Sequence, residues 1–406
     1  MSREALAVRT WRLQEPIDLV RFAGPDGYLF ARGGAGVAGR GEATRISRTD
    51  ALADLRSIAS DDTVKVPGSG AVAFAALPFE PGAPCRLVVP AVTVGSNGRG
   101  DHWVTVVGAP DELPEPPDLD LAPTDMADRA VNGPTGFDVR ASRPPQEWCK
   151  AVDAATAAIR VGRLDKVVLA REIVVTADRE IQVDAVLGRL ARTYPGCYLY
   201  LVDGFCGASP ELLVSRSGDV VTAQPMAGTA PRQGSAEADE EAAAALLASP
   251  TYRHEHQVTI DAVHDTLLRF SSYVDYEPEP SVVPLANVVH LATSVEGRLS
   301  HPPASVLDLV DALHPTPAVC GRPRENALAL ISELEDLDRR NYAGAVGWVD
   351  AEGNGEFAVA IRGAEISGRT ARVIAGNGIV ADSDPATELA ETRAKLQAML
   401  SAIVRP

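Results

Sequence analysis

Near the C-terminus the sequence reads DSDPATELAETRAKLQAML, residues 382–400. Glu388, Glu391 and Lys395 lie at i, i+3 and i+7, which puts them on one face of a helix. Asp384 followed by Pro385 predicts that helix: the short carboxylate caps it, and a missing N–H costs nothing in the first turn. Taken alone, the three residues read as a solvated stripe with a Glu391–Lys395 pair at favourable i, i+4 spacing. The sharper reading is two carboxylates facing a metal ion, with an ammonium beside them.

Other candidates are scattered along the chain. Lys166 opens the β-branched run KVVLAREIVVT and shares a strand face with Val168 and Ala170. A lysine there either snorkels at a sheet edge or is buried and usable as a base. Glu211 follows Ser209-Pro210 and opens the strand ELLVSR. It is either an exposed strand start or a carboxylic acid that keeps its proton in an apolar pocket. Glu255 sits between His254 and His256 in RHEHQ, and could ligate a metal or form surface pairs. Ala227-Gly228-Thr229 and Gly376-Asn377-Gly378 read as small-residue turns after strands, where backbone N–H groups can converge on an anion. Arg362 ends the run AVAI in mid-strand, and a buried arginine needs a carboxylate or phosphate partner. As a set, the cations could hold carboxylates and the glutamates one divalent ion. Oxygen-only ligands argue for Mg2+ over zinc.

The elements that must position these groups follow from pattern. Residues 1 to about 108 read as short strands with Gly-rich turns. The formal GxGxxG at Gly34–Gly39 lacks a following amphipathic helix and reads as a hairpin or bulge, not a dinucleotide site. The segment 110–145 is acidic and Pro-rich, which excludes central strands, and reads as an exposed connection. Trp148, Val152, Ala155 and Ile159 mark a helix that Gly162 stops. CYLYLVDG, ELLVSRSGD and VVTAQPMAG form one expected meander; YAGAVGWVD, GEFAVAIRGAEI and TARVIAGNGIV form a second, over 342–381. Helices are expected at about 235–248 and 251–270, the second burying Ile260, Val263, Leu267 and Phe270. Runs of strands alternating with helices indicate α+β with large antiparallel sheets. An N-terminal part (1–140) and a catalytic region (145–400) are expected to form one compact unit.

Bulk properties narrow the function classes. Of 406 residues, 46% are apolar and 23% charged, an ordinary globular balance. The formal charge is −17, from 38 basic and 55 acidic residues, which speaks against nucleic-acid partners. An anionic small molecule would need a site with its own positive charge. No apolar run approaches a membrane span, and the N-terminus lacks a signal pattern. Five scattered cysteines without a CxxC read as reduced thiols, so a cytoplasmic, monomeric protein is expected.

Eight stretches, in order, carry a resemblance: LDKVVLARE, GASPELLVSR, QPMAGTAPR, YRHEHQVTIDAV, VVHLATSVEG, LHPTPAVCGRP, YAGAVGWVDAEGNGEFAVAIRGAEI and AGNGIVADSDPATELAETRAKL. Over roughly residues 145–400 the chain resembles the chorismate-utilising enzymes, and within them the isochorismate synthases. The resemblance implies two large stacked antiparallel sheets, helices outside, and a site in the cleft between them. It implies Mg2+ held by Glu255 and Glu391, with Glu388 supporting through water. It implies a substrate carboxylate bound by Arg362 and Lys395 with backbone at Gly228, Thr229, Gly376 and Gly378. His290 and Ala292 in HLAT would line the pocket. Lys166 would be general base and Glu211 general acid, on two strands of one sheet. Ala227 stands where aminodeoxychorismate synthases carry a lysine nucleophile, and Lys166 favours water over ammonia. Tyr342 is a departure toward salicylate synthases, which go on to eliminate pyruvate; LATSVEG and LHPTPAVCG resemble isochorismate synthases. An amino-transferring relative and a non-catalytic chorismate-binding protein on the same scaffold also stay open. The product stands at the head of siderophore and menaquinone routes alike.

Overall fold

The computed structural model describes residues 5–113, 133–232, 234–284 and 288–404. The acidic core of the Pro-rich connection, 114–132, lies outside the described residues. Among the described residues the strands form sheets of thirteen, nine and three. Their pairings are antiparallel, except that Ala7–Leu13 runs parallel to Ala59–Asp62. Strands from before residue 109 continue both large sheets. The Gly34–Gly39 motif forms a hairpin, in which Ala35–Arg40 pairs with Tyr28–Arg32. Phe137–Ala141, expected as connection, is an edge strand on Lys166–Ala177, a position that needs hydrogen bonds on one side only.

Aromatic and β-branched side chains join the two large sheets. Phe30, Tyr200 and Phe205 of the larger meet Phe74, Val346 and Trp348 of the smaller in one buried cluster. Helices cover the outer faces. Leu187 and Leu190 of helix Val183–Thr193 and Leu396, Met399 and Ile403 of helix Pro385–Val404 cluster with Val175 and Val373 of the larger sheet. Val263 and Leu267 of helix Pro250–Leu268 and Leu309 of helix Val306–Leu313 cluster with Ala73 and Phe357 of the smaller. Helix Pro145–Arg160 buries its expected stripe, and Gly162 follows it at φ +77°. Phe270 lies just beyond its helix and is partly buried.

Two expected meanders are each divided between sheets. The run GEFAVAIRGAEI, read as one strand, is two: Gly355–Val359 in the nine-stranded sheet and Gly363–Ser367 in the thirteen-stranded one. Arg362 therefore sits in the crossing, at φ +56°, and not in mid-strand. VVTAQPMAG likewise splits, with Val220–Gln224 in the nine-stranded sheet and Met226–Pro231 in the small one. Period-2 patterning does not report such a crossing, because both halves keep their alternation. Gly228 is no turn either; it lies at φ +80° in a bulge of Met226–Pro231. Gly376 and Gly378 lie inside the strand Thr370–Ile379, paired with Ala170 and Val168.

A buried ion pair fixes the strand that Lys166 opens. Glu335 and Arg339 are 3% and 4% exposed. Glu335 Oε2 accepts from Arg339 Nε at 2.8 Å, and Oε1 accepts from the Ala170 N–H at 2.6 Å. Arg339 donates to the carbonyls of Val168 (2.7 Å) and Val319 (3.1 Å), and its guanidinium stacks 4.2 Å from the Phe79 ring centroid. Removing one partner leaves a buried charge uncompensated. Glu335→Ala is expected to destabilise the protein by about 3–5 kcal/mol, read as a lower midpoint in urea melts.

Candidate active site

A cleft of about 1190 Å³ opens where these crossings meet, and it gathers groups from sites far apart in sequence. Lys166 begins its strand with its side chain directed into the cleft. Its Nζ lies 2.6 Å from Glu255 Oε1 on helix Pro250–Leu268. That helix is started by Ser249, whose Oγ accepts from Tyr252 N, and by Pro250 in its first turn. Burial alone would raise the Glu255 carboxyl. The Lys166 charge and hydrogen bond, helped by Lys395, outweigh it and hold the group below the usual carboxylate range.

Glu211 is 4% exposed and stands between Phe205–Ser209 of the thirteen-stranded sheet and Leu212–Ser217 of the nine-stranded one. Lys166 and Glu211 are therefore not mounted on two strands of one sheet, as expected; the acid sits at a crossing between sheets. Ser209 Oγ secures that crossing, donating to the Val359 carbonyl at 2.6 Å and accepting from Glu211 N at 3.3 Å. Burial pushes the Glu211 carboxyl from 4.5 up to about 8, against the smaller opposing pull of a Met226 backbone hydrogen bond and of Lys166.

The C-terminal helix forms another wall. Asp384 caps it as expected, accepting from Thr387 N at 2.8 Å. Lys395 Nζ donates to Glu391 Oε1 (2.6 Å), Asn377 Oδ1 (2.7 Å) and Gly376 O (3.0 Å). Burial lowers the Lys395 pKa and Glu391 opposes it. Glu388 accepts from Asn377 Nδ2 at 3.0 Å and Ser383 Oγ at 2.8 Å; burial raises its pKa.

Arg362 reaches the cleft from its crossing. Its Nη1 is buried and has no hydrogen-bond partner, and among the described residues no carboxylate comes within ion-pair distance. Nη2 lies 3.5 Å from His290 Nε2, while His290 Nδ1 lies 2.9 Å from Thr229 Oγ1. Burial, then the Arg362 and Lys395 charges, push the His290 pKa down to about 3. Tyr342 is pushed up to about 12 by burial, so it stays a neutral phenol.

Glu255, Glu388 and Glu391 all line the cleft, and each helps raise the pKa of Tyr252, after burial. They are a hard, all-oxygen donor set, the type that suits Mg2+. Lys166 and Lys395 engage two of them, and among the described residues no three acidic, histidine or cysteine side chains converge on one metal position.

The family signature described as chorismate binding enzyme matches residues 125–404. The chain belongs to the chorismate-binding enzymes, among the isochorismate synthases. MenF of Mycobacterium tuberculosis is 37% identical over 393 residues, covering 94% of each chain. Isochorismate synthase MenF of Bacillus subtilis is 40% identical over 261 residues; the match spans 63% of this chain and 55% of that longer protein. The crystal structure of DhbC from Bacillus anthracis superposes with a TM-score of 0.79 at 32% identity, over 95% of this chain and 98% of that one. MenF of Escherichia coli gives a TM-score of 0.82 at 23% identity, over 98% and 95%, a likeness of fold.

This isochorismate synthase departs from the sequence expectation at one substrate position. Ala292 does not line the cleft; it is fully buried, paired with Met226 and Ser281 in the small sheet. Residues not foreseen are Tyr252, Ser383 and Asn377. Tyr252 was findable, one helical turn before Glu255 on the same face. Asn377, 1% exposed, ties Glu388 to Lys395, and the visible signal was a lone amide between two glycines.

Two outcomes are expected from this geometry. A Cβ at Gly378 would lie 2.4 Å from Lys166 Cε. Gly378→Ala should displace that amine and cost about 10²-fold in kcat with the melting temperature little changed. Glu211 sets a pH dependence of stability. Between 4.5 and about 8 the native state holds a proton that the unfolded chain has released. Wild-type stability therefore falls as pH rises through that window, by up to about 1.4 kcal/mol per unit. Glu211→Gln lacks this slope, and urea melts at pH 5 and pH 8 should show the variant gaining relative stability at the higher pH.

Proposed function

We propose that the protein converts chorismate to isochorismate with Lys166 as general base and Glu211 as general acid. The observation that carries this reading is the buried carboxyl of Glu211, its pKa pushed up by burial to about 8, sharing one cleft with Lys166. Chorismate is a dianion with an allylic hydroxyl at C4. As the general base, Lys166 takes a proton from water as the water's oxygen attacks C2. Glu211 gives its proton to the departing C4 oxygen, and both ring double bonds shift along the conjugated path from C2 to C4. One hydroxyl enters and one leaves, so the reaction is expected to be reversible. An acid that holds its proton at neutral pH in an apolar setting is suited to this step.

Arg362 supports the reading from the substrate's side. Its buried, unpartnered Nη1 is a donor that a ligand carboxylate would satisfy. Lys395 adds positive charge, and Gly228, Thr229, Gly376 and Gly378 bring backbone close to the same space. Tyr342 lines it as a neutral hydroxyl. Glu255 and Glu391 would hold Mg2+, with Glu388 behind them. When bound, that ion neutralises and orients the substrate carboxylate.

Incubation with chorismate and Mg2+, followed by chromatography, tests this directly. Isochorismate as sole product is the expected result, lost on chelation. Salicylate plus pyruvate would place the protein with the salicylate synthases instead. Heat stabilisation by chorismate without turnover would mark a non-catalytic binder. Lys166→Ala and Glu211→Gln are each expected to abolish turnover while melting cooperatively; near-wild-type rates in either would refute its role. Wild-type rate is expected to fall as pH rises past about 8, where Glu211 loses its proton.

A further inference from the structure

We infer that His290 is a positioning residue that acts through Arg362: its Nε2 holds one arm of the guanidinium so that the other is presented to the substrate's carboxylate. The inference rests on the reading of Arg362 given above and assigns His290 a task beyond lining the pocket.

The geometry begins with what Arg362 lacks. A guanidinium has only donors, five of them, and a buried one normally meets a carboxylate. Here no carboxylate comes within ion-pair distance among the described residues, and Nη1 is buried without any acceptor. The neighbour of Nη2 is His290 Nε2, at 3.5 Å. Because arginine can only donate, Nε2 must be the accepting nitrogen, which puts the ring proton on Nδ1. Nδ1 faces Thr229 Oγ1 at 2.9 Å, and that hydroxyl can accept it. Both ring nitrogens are thus occupied by protein. An imidazolium could not serve in this place, since a proton on Nε2 would face a donor and add a third cation beside Arg362 and Lys395. The low pKa of His290 agrees with a ring that stays neutral.

The backbone shows why a second anchor is needed. Arg362 lies at φ +56° in a crossing between sheets, where no strand ladder fixes its side chain. His290 comes instead from the middle of a paired strand, between Val283 and Thr229. It lends the arginine the rigidity of the small sheet. A neutral acceptor does this without neutralising the charge, which an acidic partner would have done.

Glutamine and asparagine separate the two ring nitrogens. A glutamine carbonyl reaches the place of Nε2, whereas an asparagine amide reaches only that of Nδ1. We expect His290→Asn to raise KM for chorismate about tenfold, the loss of about 1.4 kcal/mol of binding, with kcat changed less. His290→Gln should recover most of that loss. Arg362→Gln should raise KM at least as much, and the double variant His290→Asn/Arg362→Gln should be no worse than Arg362→Gln alone. Multiplying KM effects in the double variant, or equal effects of the Asn and Gln variants, would overturn the inference. So would a fall in kcat alone, which marks contact with reacting atoms. An Arg362→Gln variant with wild-type KM would overturn the reading of Arg362 and this inference with it. An Arg362→Gln effect without a His290→Asn effect would overturn the inference only. If His290→Asn fails to fold, chorismate-induced heat stabilisation of His290→Gln and of Arg362→Gln decides: loss in both overturns it, and loss in Arg362→Gln alone supports it.

Discussion

A strand that runs out of one sheet and into another gives up its ladder at the crossing. For a few residues its backbone leaves the regular ladder and bonds to other segments: Glu211 O accepts from Val359 N at 3.0 Å and Arg362 O from Ala208 N at 3.1 Å. The site depends on this constraint. Glu211 occupies the crossing between Ser209 and Leu212, and Arg362 the crossing between Val359 and Gly363. The hydroxyl of Ser209 links the two crossings, since it donates to Val359 O beside the second and accepts from Glu211 N at the first. Neither polar group would be tolerated in a regular inter-sheet position, where Phe30, Phe74 and Trp348 fill the space. At a crossing they can be buried and aimed at a common cleft.

Burial then decides the charge states. Desolvation acts on Glu211, Glu255 and His290 alike, and the outcome differs because the partners differ. Glu211 has little to oppose burial and keeps its proton. Glu255 is buried too, but the Lys166 ammonium beside it reverses the sign. His290 meets burial and two cations together and stays neutral. A protonated acid, an ionised carboxylate, a neutral imidazole and an arginine with a free arm therefore coexist within one enclosure of a protein whose formal charge is −17.

Much of this was legible in the sequence. The helix at 385–404 was announced by Asp384-Pro385, and the stripe from Trp148 to Ile159 by its period. The pair Lys166 and Glu211 stood out as charges on apolar strands, and the ordered set of motifs identified the family. The errors have separate physical origins. Alternation persists through a change of sheet, so GEFAVAIRGAEI and VVTAQPMAG each read as a single strand. Glycines chosen for space look like glycines chosen for turns: Gly378 is small because Lys166 Cε needs the room. Ala292 followed His290 at the right spacing to share its face, yet packing closed over it.

The sequence by itself determined which chemical groups were available and which local elements would carry them, because capping, periodicity and residue type act over a few neighbours. Only the tertiary structure decided their states and partners. Whether a glutamate holds its proton, and whether an arginine keeps an arm free, depends on solvent exclusion and on charges brought in from distant segments. Asn377 shows the difference: a lone amide between glycines along the chain, and in the fold the bridge between Glu388 and Lys395.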